Sequence, residues 1–182
     1  MDAYLKTSIW RQFAPTILYL ERTMRACPDH LWQASMWDPR DKPVEMSQVW
    51  YVAYHALFWL DLYLTGTEDG FLPPAPFALI EQYDDGPIPE RVYTKDELLA
   101  YLEGCRQRCY ATIQALTDEA AERNCAFGWG EVSFFGLLIY NLRHVQEHSA
   151  QINMLLGQNG VITPDYPTVI KDARSGRSIA AP

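Results

Sequence analysis

The chain has 182 residues, of which 48% are hydrophobic and 21% are charged. These values fit one globular domain spanning residues 1–182 that can bury a sizeable core, and they argue against wholesale disorder. The net charge of −8 argues against a nucleic-acid partner, because binding to a phosphate backbone requires a basic surface.

The sequence also bears on where the protein works. No apolar run approaches the roughly 18 residues that a membrane-spanning helix requires. Residues 1–15 lack the basic and then apolar pattern of a signal peptide. We therefore expect a cytoplasmic protein without a membrane partner, whose four cysteines are reduced thiols.

The first two helices are predicted near residues 3–26 and 47–65. The first has apolar residues at helical spacing, namely Leu5, Ile9, Phe13, Ile17 and Leu20. Pro15 predicts either a kink in this helix or a second helix start at that point. The second helix is apolar on nearly all sides, which is typical of a helix covered by several neighbours. Ser47 is its expected N-cap, and Gly66 is expected to end it.

Two further helices are predicted near residues 94–117 and 133–156. Thr94 and Glu97 form the pattern of a capping box at the start of the third helix. No segment predicts a β-strand. Four long helices without strands predict an all-α fold, a four-helix bundle.

The connection between the second and third helices, residues 66–93, is rich in proline and glycine. It is much longer than the roughly two to eight residues that usually join neighbouring helices of a bundle. Its length indicates a crossover or a lid over a site, and an acidic surface loop is an equally good interpretation. The tail, residues 161–182, lacks periodicity, and we expect it to lie along the bundle or a partner subunit. Since the aromatic-rich helices carry more apolar surface than a small bundle needs, we expect a homodimer.

Two of the four histidines, His144 and His148, are four residues apart in the last predicted helix. Positions at this spacing differ by about 40° around an α-helix and by about 6 Å along it. Both imidazoles can therefore bind one ion, as in other paired-histidine metal motifs. An apolar row beside them indicates that they lie at or near the inward face; it comprises Leu138, Val145, Ile152 and Leu156.

A third histidine, His55, lies in the middle of the second helix among large and mostly apolar residues. A buried imidazole requires a hydrogen-bond partner or a metal. His55 from one helix and the His144–His148 pair from another can form a three-nitrogen site in the bundle core. Three protein ligands with one open position are the arrangement of catalytic zinc, and similar sites hold nickel or iron.

A purely structural interpretation also remains for each of these residues. The spacing H-x-x-x-H occurs by chance in many helices, so the pair alone is also compatible with an ordinary core. Cys105 and Cys109 are one helical turn apart and could reach a metal, but small residues at this spacing are more typical of core packing. His30 follows Pro28 in a predicted turn and is expected to face solvent.

The order of these elements resembles the DinB/YfiT-like family of metal-dependent enzymes. The matching stretches are "WYVAYHALFWLDLYL", which contains His55, and "NLRHVQEHSAQINMLL", which contains the histidine pair. Gln151 and Ile152 also fit the run that the family shows after its second paired histidine. The resemblance implies a bundle in which His55, His144 and His148 bind a divalent metal ion near one end of the core.

The family includes thiol-dependent S-transferases, a thiol-dependent isomerase and many proteins of unknown activity. This chain departs from the family outline in its long proline-rich loop and its extended tail, so no substrate is carried over. The resemblance does imply a small-molecule substrate, with a low-molecular-weight thiol as one candidate.

Three neutral imidazoles leave a divalent ion its full charge, so such an ion can acidify a water or a thiol and polarise an oxygen atom. Two reaction classes follow, hydrolysis and transfer of a thiolate to an electrophile, and the resemblance favours the second. The sequence identifies no catalytic side chain. Groups near the histidines that could orient them are Asn141, Gln151, Glu147, Tyr51 and Tyr54.

The competing hypothesis is a non-catalytic bundle that acts as an interaction or stress-response protein, with a structural metal or none. A site closed by a fourth protein ligand would favour this hypothesis, whereas an open position beside a cavity would favour an enzyme. In either case imidazole binds metal only when neutral, so we expect occupancy to fall as the pH drops through about 6.

Overall fold

The computed structural model describes residues 1–82 and 88–168. Within these residues it contains four long α-helices, one short helix and a two-stranded hairpin. In chain order they are α1 (Ala3–Ala26), α2 (Val49–Thr65), α3 (Lys95–Ala115), α4 (Asp118–Glu122), β1 (Asn124–Phe127), β2 (Gly130–Ser133) and α5 (Phe134–Gln158). The long helices confirm the predicted bundle.

The four long helices pack as a ring in which α2 contacts α3 and α5, and α1 contacts the same two helices. Their buried faces form one continuous core. Its largest fully buried side chains include Trp10, Phe13, Trp50, Tyr54 and Phe58. The apolar character of α2 on all sides follows from this arrangement, because α2 lies between two helices and is also covered by the loop that follows it.

Local sequence signals explain most helix ends. Thr94 and Glu97 form the predicted capping box at the start of α3. Gly66 ends α2 with a left-handed φ of 77°, which glycine adopts without steric cost. Ser47 is not the N-cap of α2, contrary to the prediction. It lies in a 3₁₀ turn, where its hydroxyl donates to the carbonyl of Val44 at 2.8 Å, and Gln48 occupies the cap position.

Pro15 neither ends nor restarts the first helix, because α1 runs continuously from Ala3 to Ala26. Pro15 is itself buried in the core-facing part of this helix. Packing against the neighbouring helices therefore outweighs the backbone hydrogen bond that proline cannot make.

The hairpin corrects the prediction that the chain contains no strand. β1 and β2 pair antiparallel with Asn124 opposite Ser133 and Phe127 opposite Gly130. Each strand has only four residues, too few for a clear alternating pattern. The hairpin is held by tertiary contacts instead, since the ring of Phe127 packs edge-on against Tyr63 of α2 at 5.2 Å.

The third helix ends two residues before the predicted residue 117, and the short helix α4 follows it. α3 ends at Ala115, and Thr117 instead caps α4, with its hydroxyl oxygen accepting from the backbone N–H of Ala120. A threonine that satisfies a backbone donor in this way favours a new helix start over continuation.

The long loop after α2 covers part of that helix before it reaches α3. Tyr54 donates its hydroxyl proton to the carbonyl of Ala78 at 2.5 Å, and Phe77 stacks on Tyr101 with ring centroids 4.6 Å apart. A 3₁₀ turn, Leu79–Gln82, follows. The prediction that this connection forms a lid over a site also covers residues 83–87, which lie outside the described residues.

The first part of the C-terminal tail lies along the bundle, as one of the two expectations had it. Tyr166 packs its ring edge-on against Tyr19 of α1, with centroids 5.2 Å apart. Residues 169–182 lie outside the part of the chain that the structure describes.

All four cysteines are buried, and none is in a disulfide. This agrees with the expectation of reduced thiols. Among the described helices, none combines the length and the hydropathy that crossing a bilayer requires.

Candidate metal centre

The structure brings together the three histidines that the sequence singled out. His55 lies in the middle of α2, and His144 and His148 lie on the face of α5 that packs against it. The Nε2 atom of His144 is 3.1 Å from Nε2 of His55 and 3.0 Å from Nε2 of His148. One ligand atom from each of the three lies within 4.8 Å of the others.

The alternative ligands lie elsewhere. His30 is exposed in a 3₁₀ turn, Asp29–Leu31, away from this cluster. Cys105 and Cys109 are fully buried on α3, where the Sγ of Cys105 contacts the carbonyl of Leu57 at 3.8 Å. Within the described residues, no other His, Cys, Asp or Glu joins the three histidines as a possible ligand.

A carboxylate that the sequence did not single out orients His55. Glu81, in the turn of the long loop, places Oε2 2.6 Å from Nδ1 of His55. The same oxygen accepts a hydrogen bond from Nε1 of Trp59 at 3.2 Å. Only 6% of the Glu81 side chain is exposed. Burial by itself raises the pKa of Glu81, but interactions with His55, Tyr51 and Trp59 outweigh it, so the pKa is lowered.

Gln151 orients His148, as predicted from its position one turn away. Its side-chain oxygen is 2.8 Å from Nδ1 of His148. A carboxylate or an amide oxygen can only accept, so Nδ1 carries the proton in both His55 and His148. In the neutral imidazoles the lone pair is then on Nε2, and both lone pairs point toward the Nε2 atom of His144.

His144 lies between the other two histidines, and its Nδ1 atom is buried without a hydrogen-bond partner. Burial, together with the neighbouring His55 and His148, lowers the pKa of His144 to about 2. Burial likewise lowers the pKa of His148 to about 4. Both imidazoles are therefore neutral near pH 7, the state in which histidine binds a metal.

The remaining candidates for orienting the histidines take other roles. Asn141 donates from Nδ2 to the carbonyl of Leu60 at 3.0 Å and so joins α5 to α2. Tyr54 bonds to the loop carbonyl of Ala78. Tyr51 lies beside Glu81 and contributes to its lowered pKa, and therefore acts on His55 only indirectly. Glu147 makes no hydrogen bond to either paired histidine and lines a cavity instead.

This cavity of about 130 Å³ opens beside His144 and is lined by Tyr140, Arg143, His144 and Glu147. Aromatic rings hold Tyr140 in place. Trp129, at the tip of the hairpin, stacks on Tyr140 with centroids 4.9 Å apart and donates from Nε1 to the hydroxyl of Tyr63 at 3.2 Å. The hairpin that the sequence did not predict therefore supports one wall of this cavity.

The donor set fits a divalent metal ion. Ligand nitrogens at metal distances of about 2.0–2.1 Å in tetrahedral geometry lie about 3.3 Å apart. The nitrogen separations of 3.0 and 3.1 Å around His144 are close to that value. Without a cation, the single N–H of a neutral His144 could donate a well-aligned hydrogen bond to only one of the Nε2 atoms of His55 and His148. Neutral imidazoles suit zinc, nickel or iron, so the chemistry of the three residues does not select one of these.

Comparison with known proteins agrees with this fold. The chain is similar to the crystal structure of a DinB-like protein, YjoA, from Bacillus subtilis, with a TM-score of 0.57 and 13% sequence identity. The match covers 87% of this chain and 97% of that chain, and at this identity it shows the fold alone. None of the curated proteins matches the sequence.

The family model of the DinB superfamily matches residues 14–152. The matched region contains all three clustered histidines and Glu81, and it extends from the core-facing part of α1 into α5. Because the match spans well over half of the sequence, the chain belongs to the DinB superfamily.

Proposed function

We propose that His55, His144 and His148 bind one divalent metal ion and that the protein is a metal-dependent enzyme acting on a small molecule. Its reaction is a thiol-dependent S-transfer, with hydrolysis as the alternative. One observation carries the proposal: the Nε2 atoms of His55 and His148 lie 3.1 and 3.0 Å from Nε2 of His144, while Glu81 and Gln151 hold two of the rings from behind. Such outer partners are typical of metal-binding histidines.

The surroundings of the cluster support a catalytic role over a structural one. The side chain of His55 is 30% exposed, and a cavity opens beside His144. Within the described residues no fourth side chain completes the ligand set. A structural site would be closed by a fourth ligand, whereas a catalytic site keeps a position for water or substrate.

The protein side chains have separate tasks in this proposal. Glu81 and Gln151 fix the tautomers of His55 and His148, so that both Nε2 atoms keep their lone pairs. Tyr140, held by Trp129, forms an apolar wall that limits access of water to His144. When bound, the ion supplies Lewis acidity, which lowers the pKa of a thiol or water and polarises an electrophile.

Metal binding is the first test. Protein purified without a histidine tag is stripped with a chelator and titrated separately with Zn²⁺, Ni²⁺ and Fe²⁺. We expect one ion per chain in the wild type and in a His30→Ala control. We expect no stoichiometric binding in a His55→Ala variant that retains its helical circular dichroism. Equal binding by the wild type and His55→Ala would contradict the proposal.

Activity is the second test. The reconstituted protein is assayed with small thiols and an alkyl or aryl electrophile for loss of thiol, and with activated esters and amides for hydrolysis. Turnover that disappears in His55→Ala supports the enzyme, and the substrate consumed selects the reaction. Stoichiometric metal without turnover in either assay would favour the non-catalytic alternative.

The proposal also includes a cytoplasmic homodimer. Several large apolar side chains of α5 and the long loop are exposed and could meet a second copy; they are Leu72, Ile139 and Met154. Sedimentation at micromolar concentration tests this part separately. A monomer would contradict the proposed dimer without contradicting the proposed metal centre.

A further inference from the structure

Two opposite charges line the cavity beside His144. Arg143 and Glu147 are both exposed on α5 and are four residues apart, so they share one face of the helix. Each directly precedes one of the paired histidines in the sequence. The charged row therefore runs parallel to the histidine row, rotated by about 100° around the helix axis.

Neither of these charges is neutralised by a residue in the described part of the chain. Arg143 and Glu147 are not within 4.0 Å of each other or of any other opposite charge among the described residues. The arginines that pair with carboxylates elsewhere in the chain include Arg25, Arg91, Arg106 and Arg108. The cavity beside His144 thus presents a cation and an anion that no opposite charge of the described residues neutralises.

The size of the cavity limits what these charges can bind. Its volume of about 130 Å³ is well below the roughly 300–1,000 Å³ of sites that enclose a whole drug-sized ligand. It has room for a polar group of a few heavy atoms. The ring of Tyr140, fixed by stacking on Trp129, provides one apolar side.

We propose that this cavity binds the zwitterionic head group of an amino-acid-like substrate, with its carboxylate on Arg143 and its ammonium on Glu147. A guanidinium binds a carboxylate through two parallel hydrogen bonds, and a carboxylate accepts readily from an ammonium group. In a chain of net charge −8, a simple anion is repelled at long range, whereas a zwitterion is not. The inference rests on the proposed function, because it places the reacting end of the substrate at the histidines.

The test uses three small thiols that differ mainly in charge: 3-mercaptopropionate is anionic, 2-mercaptoethanol is neutral and cysteamine is cationic. Each is titrated into the Co²⁺-loaded protein, and binding is followed by the thiolate-to-cobalt absorption band. We expect Arg143→Gln to weaken only 3-mercaptopropionate, by about fivefold, the scale of one exposed ion pair. We expect Glu147→Gln to weaken only cysteamine, by a similar factor. Arg11→Gln, at an exposed arginine of α1 outside the cavity, is the control and should change none of the three.

The outcomes separate this inference from the proposed function. If Co²⁺ and the thiols bind but the two cavity variants leave all three affinities unchanged, or lower all three equally, the head-group inference is wrong and the metal centre stands. If Co²⁺ does not bind to the wild type, or binds and accepts no thiol, both the thiol chemistry and the head-group inference are wrong.

Discussion

Two buried polar clusters in this bundle differ in how well the protein satisfies them. Between α1 and α3, the guanidinium of Arg106 is 3% exposed and pairs with the carboxylates of Glu21 and Glu103. Between α2 and α5, three basic imidazoles meet at one point, and the Nδ1 atom of His144 is left without a partner. The first cluster brings opposite charges together, and the second brings together groups that repel one another when protonated.

Under the proposed function, this difference separates a structural polar cluster from a metal-binding one. A buried ion pair joins two helices, and its cost of desolvation is offset within the chain. In the histidine cluster, the single N–H of a neutral His144 can satisfy only one of the two neighbouring Nε2 lone pairs, whereas a bound cation would satisfy all three imidazoles. We therefore expect substitutions in the two clusters to affect different measurements, the stability of the fold for one and the affinity for metal for the other.

The largest effect is expected for His144→Ala. Loss of the central imidazole removes one of the three proposed ligands and leaves only the Nε2 atoms of His55 and His148. We therefore expect metal affinity to fall more than about a hundredfold, beyond the range seen when a residue that hydrogen-bonds to a ligand is replaced. Competition with a chromophoric chelator measures the affinity. Wild-type metal affinity in this variant would show that His144 is not a ligand.

Arg106→Ala should give the largest loss of stability. It removes the buried partner of Glu21 and leaves that carboxylate only the exposed Arg25, and breaking a buried pair costs about 3–5 kcal/mol of unfolding free energy. Urea denaturation followed by circular dichroism measures this value, with the exposed Arg11→Ala as the matched control. Metal stoichiometry in folded Arg106→Ala should remain one per chain. A loss of metal would contradict the expectation that the Arg106 cluster affects only the stability of the fold.

Glu81→Gln tests the carboxylate behind His55. The amide keeps the shape and one acceptor oxygen but removes the charge that favours the proton on Nδ1. Metal affinity should fall by about 10- to 100-fold. Glu97→Gln is the control, since that carboxylate belongs to the capping box of α3 and should alter stability without altering metal affinity. Equal affinities for wild type and Glu81→Gln would show that the contact does not orient a ligand.

The smallest expected effect concerns pH. Burial lowers the pKa of His144 to about 2 and of His148 to about 4, from an ordinary value of 6.5. The unfolded chain therefore binds more protons than the folded chain below pH 6.5, so the metal-free protein should lose stability as the pH falls from about 6.5 toward 4.

For the same reason protons compete weakly with metal, and release of the metal should have its midpoint below pH 6, lower than the sequence alone led us to expect. The absorbance of Co²⁺-loaded protein against pH measures this midpoint, and release at pH 6 or above would contradict it.

The sequence predicted the histidine cluster because helical geometry is local and regular. A spacing of four residues puts His144 and His148 on one face of a helix whatever the rest of the chain does. Gln151 was predicted for the same reason, since it lies three residues after His148 and reaches its ring. The four long helices followed from periodicity and from caps such as Thr94.

Features that depend on contacts distant in sequence were not predictable in this way. Glu81 lies 26 residues after His55 in a loop without periodicity, and only the folding of that loop against α2 brings the two together. The hairpin has strands too short to show a pattern, and its position depends on packing of Phe127 against Tyr63. Asn141 shares the histidine face, yet its bond to the carbonyl of Leu60 depends on the approach of α2 to α5.

Glu81 belongs to the loop turn Leu79–Gln82, whereas His55, the proposed ligand that it contacts, belongs to a helix of the core. The free energy that docks this turn and the free energy that binds an ion are therefore linked. By thermodynamic reciprocity, anything that docks the turn more firmly raises the affinity for the ion by the same factor by which the ion favours docking. Residues such as Tyr54, which holds the loop through the carbonyl of Ala78, are thus expected to change the affinity of the proposed metal centre without being ligands.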